Sequence, residues 1–268
     1  LMYVIIDWHI LHDNNPNTYK KQAKAFFSEM SSKYSSYNNV LYEICNEPNG
    51  GTTWEDIAGY ANEIIPIIRA NDPDAVIIVG TPTWSQDVDV AADNPLAFDN
   101  IMYTMHFYSA THKDSYREKL KSALNKGLPV MVTEYGVSEA SGDGSLDTNE
   151  AKKWLDMLDD NGMSYFAWSL SNKAESSALL KSGTKKKSGW KRSNFSKAGK
   201  WVFDQYKTRN GIDKPAKVSG LKLKKIKGRK IRITFKKVTG AYGYQIVYST
   251  NKKLKNSKKK YITDNSVT

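Results

Sequence analysis

The chain has one cysteine, Cys45, among its 268 residues, so it cannot form an internal disulfide. It also has no apolar stretch long enough to cross a membrane and no segment with the pattern of a signal peptide. These absences exclude a disulfide-stabilised small domain and predict that no membrane span is present. They leave secretion open, because many secreted bacterial enzymes have no disulfide.

Acidic residues are scarce in one part of the chain only. Residues 1–210 carry 23 lysines and arginines against 26 acidic residues, whereas residues 211–268 carry 17 against 2. The net charge of +12 therefore comes from the C-terminal segment. Such a segment could contact nucleic acid or the acidic polymers of a cell wall. Its lysines fall mostly on the outward positions of amphipathic strands, so a solvated face is favoured. No nucleic acid is predicted as a partner, and a weak cell-wall or polysaccharide contact is the alternative.

Residues 1–207 show a regular alternation of apolar strands and amphipathic helices. Strands that are continuous runs of Val, Ile and Met are buried on both faces, as in parallel sheets. The alternation predicts an α/β fold, a (β/α) barrel whose active site lies at the carboxyl ends of the strands. The predicted strands are residues 2–7, 40–45, 75–80, 101–106, 129–133 and 163–168, and the predicted helices are 19–34, 54–70, 114–126, 148–161 and 197–206.

Two glutamates, Glu47 and Glu134, lie where apolar strands end. A carboxylate at that point costs desolvation energy unless it is paired or used in chemistry. Two carboxylates on separate strands are what glycoside hydrolysis requires, one as acid/base and one as nucleophile or base. Either glutamate alone could equally cap its strand or pair with a lysine or arginine. The other polar or aromatic residues at strand ends are His9, Asn46, His106, Tyr108 and Trp168.

A metal site is the alternative at the end of the first predicted strand. Asp7 and His9 are both potential ligands, but no third ligand has suitable spacing. The sequence therefore predicts no metal and no cofactor.

Six short segments in chain order carry a family pattern. They are Ile6-Asp7-Trp8-His9, Tyr42-Glu43-Ile44-Cys45-Asn46-Glu47-Pro48-Asn49, Thr83-Trp84-Ser85-Gln86-Asp87, Met105-His106-Phe107-Tyr108, Val132-Thr133-Glu134-Tyr135-Gly136 and Phe166-Ala167-Trp168-Ser169-Leu170-Ser171. Together they resemble glycoside hydrolase family 5, and within it the bacterial endo-β-1,4-glucanases. The resemblance implies a (β/α)8 barrel and a secreted, extracellular enzyme that cleaves internal β-1,4-glucosidic bonds of cellulose-type glucans.

The resemblance also implies a role for each residue. Glu47 would be the acid/base and Glu134 the nucleophile of a retaining double displacement, so Glu47 must be protonated and Glu134 ionised. Tyr108 would donate its hydroxyl to Glu134, and Asn46 would hold the sugar 2-hydroxyl. The other substrate-binding residues implied are His9, Trp84, His106, Trp168, Lys173 and Glu175.

The two tryptophans would stack on sugar rings, because an indole face suits the apolar face of glucose. Trp168 would form the floor on the non-reducing side of the cut, and Trp84 would stack a sugar on the other side. For Trp84 the alternative is a loop aromatic packed on a helix. The alternative functions are a mannanase or xyloglucanase with the same two carboxylates, or a non-catalytic carbohydrate-binding surface protein.

The resemblance also sets expectations for the ends of the chain. Asp7-Trp8-His9 would correspond to the end of the third barrel strand, so six of eight βα units are expected here, with the first two absent. A chain of this kind, expressed alone, is expected not to be an active, cooperatively folded enzyme, because it leaves strand edges unpaired.

The last quarter of the chain has a different character. Residues 208–216 are predicted as a linker. Residues 217–268 resemble a partial fibronectin type III module, an all-β sandwich with too few strands to close. Polar and apolar residues alternate in its predicted strands 218–223, 230–235 and 242–248, and turns are predicted at 239–241 and in the lysine-rich segment 249–260.

Overall fold

The computed structural model describes residues 2–209, 216–228, 230–238, 241 and 243–268. The chain divides into two compact units, the first ending at Val202 and the second beginning at Phe203. Of the predicted linker 208–216, residues 210–215 lie outside the described residues. Residues 208 and 209 are not linker, because they form the last two residues of the helix Lys197–Arg209. No helix within the described ranges is long and apolar enough to cross a membrane.

The first unit is built on a parallel sheet whose strands lie side by side in chain order. Each strand pairs in parallel with the next, as the continuous apolar runs predict. The strands are β1 (Val4–Asp7), β2 (Val40–Glu43), β3 (Val76–Val79), β4 (Ile101–Tyr108), β5 (Val130–Gly136) and β6 (Tyr165–Ala167). All six predicted strands are therefore confirmed.

The sheet is strongly curled. In a flat sheet, strands three positions apart lie about 14 Å from one another. Thr133 on β5 nevertheless donates its hydroxyl to the Glu43 carboxylate on β2 at 2.7 Å. This contact crosses the concave face, so the sheet forms a half-barrel with its interior polar side chains in reach of one another.

Helices separate the strands, and the five predicted helices are confirmed to within three residues at each end. In the second helix, Thr53 and Asp56 form a reciprocal capping box, which fixes the residue at which the helix begins. Two short helical segments and one 3₁₀ turn (Arg192–Asn194) lie where no helix was predicted. The first of them, Pro82–Ser85, is a single turn with left-handed backbone angles at Thr83 and Trp84. The helices are α1 (Lys20–Tyr34), α2 (Trp54–Arg69), α3 (Pro82–Ser85), α4 (Val88–Ala91), α5 (Asp114–Asn125), α6 (Thr148–Asp160) and α7 (Lys197–Arg209).

The apolar faces of the helices pack on the outside of the sheet. Trp154 of α6 stacks on Phe107 of β4 with ring centroids 4.1 Å apart, and both side chains are fully buried. Ile57 and Ile64 of α2 are buried completely as well. This packing fixes the strands, and with them the residues at their carboxyl ends.

The second unit contains two small antiparallel sheets. One pairs β7 (Lys222–Ile226), β8 (Lys230–Thr234) and β11 (Ser266–Val267), and the other pairs β9 (Tyr244–Tyr248) with β10 (Lys258–Ile262). Phe235 and Val238 are buried, and the Phe235 ring lies 4.6 Å from that of Tyr244.

Two boundaries predicted for this unit need correction. The first strand begins at Lys222, so residues 218–221 are not part of it. The segment 249–260 is not a turn throughout, because its last three lysines belong to β10. Strand β10 is exposed along most of its length, so it has no apolar alternation by which the sequence could reveal it. Residues 239, 240 and 242 of the predicted turn and strand lie outside the described residues.

Candidate active site

The two glutamates singled out by the sequence meet at the carboxyl edge of the sheet. Glu134 lies near the end of β5, and Glu47 lies in the loop after β2. One carboxylate oxygen of each lies within 4.8 Å of the other and of a ring nitrogen of His106. His106 Nδ1 lies 2.9 Å from Glu47 Oε1. His106 is also the register partner of Glu134 on the neighbouring strand.

Glu134 is buried and held by Tyr108. The Tyr108 hydroxyl donates to Glu134 Oε1 at 2.6 Å, as the sequence predicts. Burial raises the pKa of Glu134 and the Glu47 carboxylate adds to the rise, while the charge of His106 and the Tyr108 hydrogen bond oppose it. Gly136 makes this arrangement possible, because a Cβ there would lie 2.3 Å from the Tyr108 ring.

His9 and Trp168 form a stacked pair beside the carboxylates. Their rings lie 5.4 Å apart and are parallel to within 5°. Asp7 Oδ2 accepts from His9 Nδ1 at 2.7 Å, and this hydrogen bond raises the pKa of His9. The Asn46 side-chain nitrogen donates to the Ile10 carbonyl at 3.2 Å. Both polar side chains are therefore fixed before any ligand arrives.

A cavity of about 320 Å³ opens over this group. Four residues predicted to form the site line it, namely His9, Asn46, Glu134 and Trp168. Glu47, His106 and Tyr108 adjoin it through the hydrogen bonds above. The structure thus brings seven of the ten predicted site residues into one cluster.

The other three predicted residues lie outside that cavity. Trp84 is exposed on a left-handed turn, with its backbone N–H donating to the Pro48 carbonyl beside Glu47 at 2.9 Å. Lys173 and Glu175 form an ion pair of 3.3 Å. Glu175 lines a second cavity of about 500 Å³ instead.

The three grouped side chains, Glu47, His106 and Glu134, are close enough to share a cation. Burial disfavours a charge on His106, but the nearby carboxylates of Glu43 and Glu47 outweigh it and raise its pKa to about 10. A protonated imidazole has no lone pair for a metal. The raised pKa of His106 therefore favours a proton on its ring.

The comparisons with known proteins agree with this geometry. Residues 2–174 match the family model described as cellulase, glycosyl hydrolase family 5. The chain belongs to glycoside hydrolase family 5. Its relatives include an endoglucanase of Clostridium saccharobutylicum, 58% identical over 202 residues, which are 75% of this chain and 45% of the relative. Endoglucanase A of Butyrivibrio fibrisolvens is 52% identical over 205 residues, 76% of this chain and 47% of the relative.

Solved family 5 structures superpose on the first unit. The catalytic domain of Thermobifida fusca endoglucanase Cel5A, in complex with cellotetraose, matches with a TM-score of 0.72 and 39% identity. That match covers 76% of this chain and 68% of the solved one. The family fold is a (β/α)8 barrel, of which the half-barrel here is a part. The chain spans about half the length of the curated relatives it matches.

Sequence reasoning missed three polar residues of this family 5 site. Glu43 and Thr133 line the cavity from β2 and β5, and they were counted only as parts of strands. A charged residue inside an otherwise apolar strand was the available signal for Glu43. The third is His112, for which the sequence offers no signal of a role. Burial lowers its pKa to about 4, so it is neutral, and its Nδ1 accepts the Tyr108 backbone N–H at 2.8 Å.

Proposed function

We propose that the protein is a retaining endo-β-1,4-glucanase that hydrolyses internal bonds of cellulose-type glucans. The observation that supports this most is the pairing of Glu47 with Glu134 at an oxygen separation within 4.8 Å. Retaining glycosidases hold their carboxyl groups about 5–5.5 Å apart, whereas inverting enzymes need about 6.5–9.5 Å to admit a water. Nearest oxygens this close favour the shorter, retaining separation of the two carboxyl groups and hence a double displacement.

In the first step Glu134 attacks the anomeric carbon while Glu47 gives its proton to the departing glycosidic oxygen. The product is a glycosyl ester on Glu134 and a free sugar hydroxyl. In the second step Glu47 takes a proton from water, the water oxygen attacks the same carbon, and Glu134 leaves as a carboxylate. Tyr108 stabilises that carboxylate with its hydrogen bond of 2.6 Å.

The proposed substrate is a β-1,4-glucan, and the aromatic surfaces favour it. Trp168, backed by His9, offers a flat face beside Glu134 for the sugar ring that is attacked. Asn46 contributes polar contacts to the same sugar. His106, predicted to do the same, is buried with both ring nitrogens bonded to Glu47 and Thr133, so it acts on the sugar only through Glu47. Trp84, Lys173 and Glu175 would contact sugars further from the cut. The names of the relatives and the cellotetraose in a similar structure support glucan over mannan or xyloglucan.

Hydrolysis assays on a panel of soluble polysaccharides test the proposal. The full-length protein is expected to cleave carboxymethylcellulose in mid-chain, so that viscosity falls faster than reducing ends appear. Faster cleavage of mannan or xyloglucan would reassign the substrate. Binding without cleavage of any of them would leave only a carbohydrate-binding surface protein.

We also propose how the chain is organised. Residues 1–209, which end with helix α7, form the catalytic part, 210–216 a linker, and 217–268 a fibronectin type III-like module of an extracellular protein. The module is proposed to contact acidic cell-wall polymers weakly. Lys224 lies directly opposite Arg232 in the β7–β8 register, and like charges in that position repel unless an anion lies between them. No described residue from 216 onward takes part in an ion pair.

Deleting residues 211–268 from the full-length protein is expected to leave kcat/KM on soluble carboxymethylcellulose unchanged. The same deletion is expected to abolish retention on a phosphate-bearing cell-wall polymer, because it removes the basic residues. Retention is measured at low salt, since salt screens exposed charges. The double variant Lys224→Gln, Arg232→Gln should weaken retention without affecting hydrolysis. A large loss of hydrolysis would show that the module is part of the catalytic unit.

A further inference from the structure

A buried chain of polar side chains runs beneath the carboxylates, on the concave face of the half-barrel. Thr133 Oγ1 lies 2.7 Å from Glu43 Oε1, 2.9 Å from His106 Nε2 and 2.5 Å from Thr104 Oγ1. On its other side, His106 Nδ1 lies 2.9 Å from Glu47 Oε1. The chain thus links Glu43, which the mechanism above does not use, to Glu47.

With Glu43 ionised, the hydrogen count of this chain fixes the direction of each bond. A hydroxyl has one proton to donate and two lone pairs to accept with, whereas an ionised carboxylate only accepts. Thr133 must therefore donate to Glu43 and accept from Thr104 and from His106 Nε2. His106 carries a proton on Nε2 as a result, and Nδ1 is the ring atom that faces Glu47.

Charge supports the same assignment. Glu43 is buried, and its Oε1 lies 3.8 Å from His106 Nε2. The ionisable groups that face His106 are Glu43, Glu47 and Glu134, and those that face Glu43 are Asp7 and His106. Burial raises the pKa of Glu43, with a further contribution from Asp7, while His106 and Thr133 oppose the rise. An ionised Glu43 beside a protonated His106 suits both buried groups, because unlike charges 3.8 Å apart stabilise one another.

We propose that Glu43 is a positioning residue that, through Thr133, holds His106 as an imidazolium whose Nδ1–H donates to Glu47 Oε1. This hydrogen bond occupies one oxygen of Glu47. The other oxygen is then the one that exchanges a proton with the glycosidic oxygen and with water. The proposal rests on the acid/base role of Glu47 given above.

Loss of the Glu43 charge changes what His106 does. Glutamine at this position still accepts the Thr133 hydroxyl, so the Nε2 proton keeps its acceptor. Without the buried negative charge, however, His106 loses its other proton at a lower pH. Neutral Nδ1 then presents a lone pair to Glu47 and accepts the proton that the leaving group needs.

The test is Glu43→Gln in the full-length enzyme. We expect the pKa of His106, followed by NMR and assigned with a His106→Gln variant, to fall by about 1–3. We expect the alkaline limb of kcat/KM on carboxymethylcellulose to move to lower pH with it. An aryl cellobioside whose leaving group needs no protonation should lose much less activity. Glu43→Asp, which keeps the charge, should move the limb back towards that of the wild type.

Glu150→Gln is the matched control, because it also removes a buried carboxylate but one paired with Arg117 away from the cavity. This variant should leave the alkaline limb of the kcat/KM profile at the wild-type pH, whatever its effect on Tm. An unchanged His106 pKa, or equal losses on both substrates with an unmoved limb, would reduce Glu43 to a packing residue and overturn the proposal.

If Glu43→Gln does not fold, Thr133→Val tests the proposal instead. It removes the acceptor of the His106 Nε2 proton, so the pKa of His106 should again fall. The NMR titration needs no substrate, so it judges Glu43 even if the glucanase assignment fails.

Discussion

Replacing Glu134 by glutamine is expected to lower kcat on a β-1,4-glucan by several orders of magnitude while leaving the Kd of a soluble cello-oligosaccharide nearly unchanged. The amide has the size of the carboxyl group and can still accept the Tyr108 hydroxyl, which is 2.6 Å away in the wild type. It is not a nucleophile, so no glycosyl ester forms. Steady-state kinetics and calorimetric titration of the variant measure the two effects separately.

The control for Glu134→Gln is Glu118→Gln, on the exposed face of α5, where the carboxylate pairs only with Lys121 in the described structure. It should retain wild-type kcat and Tm. If Glu134→Gln kept a tenth of the wild-type kcat, another group would have to be the nucleophile.

The barrel elements could be predicted because each carries its own local signal. Apolar runs such as Val76–Val79 predict strands buried on both faces, and Thr53 with Asp56 indicates the start of a helix. The convergence of Glu47 and Glu134 then follows from topology alone, because parallel strands end at the same edge of the sheet.

The interior contacts could not be predicted in the same way. Glu43 and Thr133 are 90 positions apart, and their contact depends on how tightly the sheet curls. Local sequence does not specify that curvature. Trp84 is a similar case, since Thr83, Trp84 and Ser85 all adopt positive φ near 55°. Such a turn is costly for residues other than glycine and is set by its surroundings, here the hydrogen bond to Pro48.

Replacing Glu47 by glutamine is expected to produce a loss that depends on the leaving group. Glutamine cannot give a proton to the glycosidic oxygen, so kcat/KM on carboxymethylcellulose should fall by about 10²- to 10⁴-fold. An aryl cellobioside with a good leaving group departs without protonation, so its glycosylation step should remain close to that of the wild type. The ester on Glu134 should then accumulate and appear as a burst of released phenol.

The second half-reaction provides the internal control. Water needs a base to attack the ester, whereas azide does not, so added azide should restore turnover of the aryl glycoside in Glu47→Gln. The azide product should keep the β configuration, because two displacements occur at the same carbon. Azide rescue of Glu134→Ala, which leaves room for azide where the carboxylate was, should instead give the α product by a single displacement. Equal losses on carboxymethylcellulose and the aryl cellobioside, without a burst, would contradict the assignment of Glu47 as acid/base. Its 2.9 Å contact with His106 would then have only a structural role.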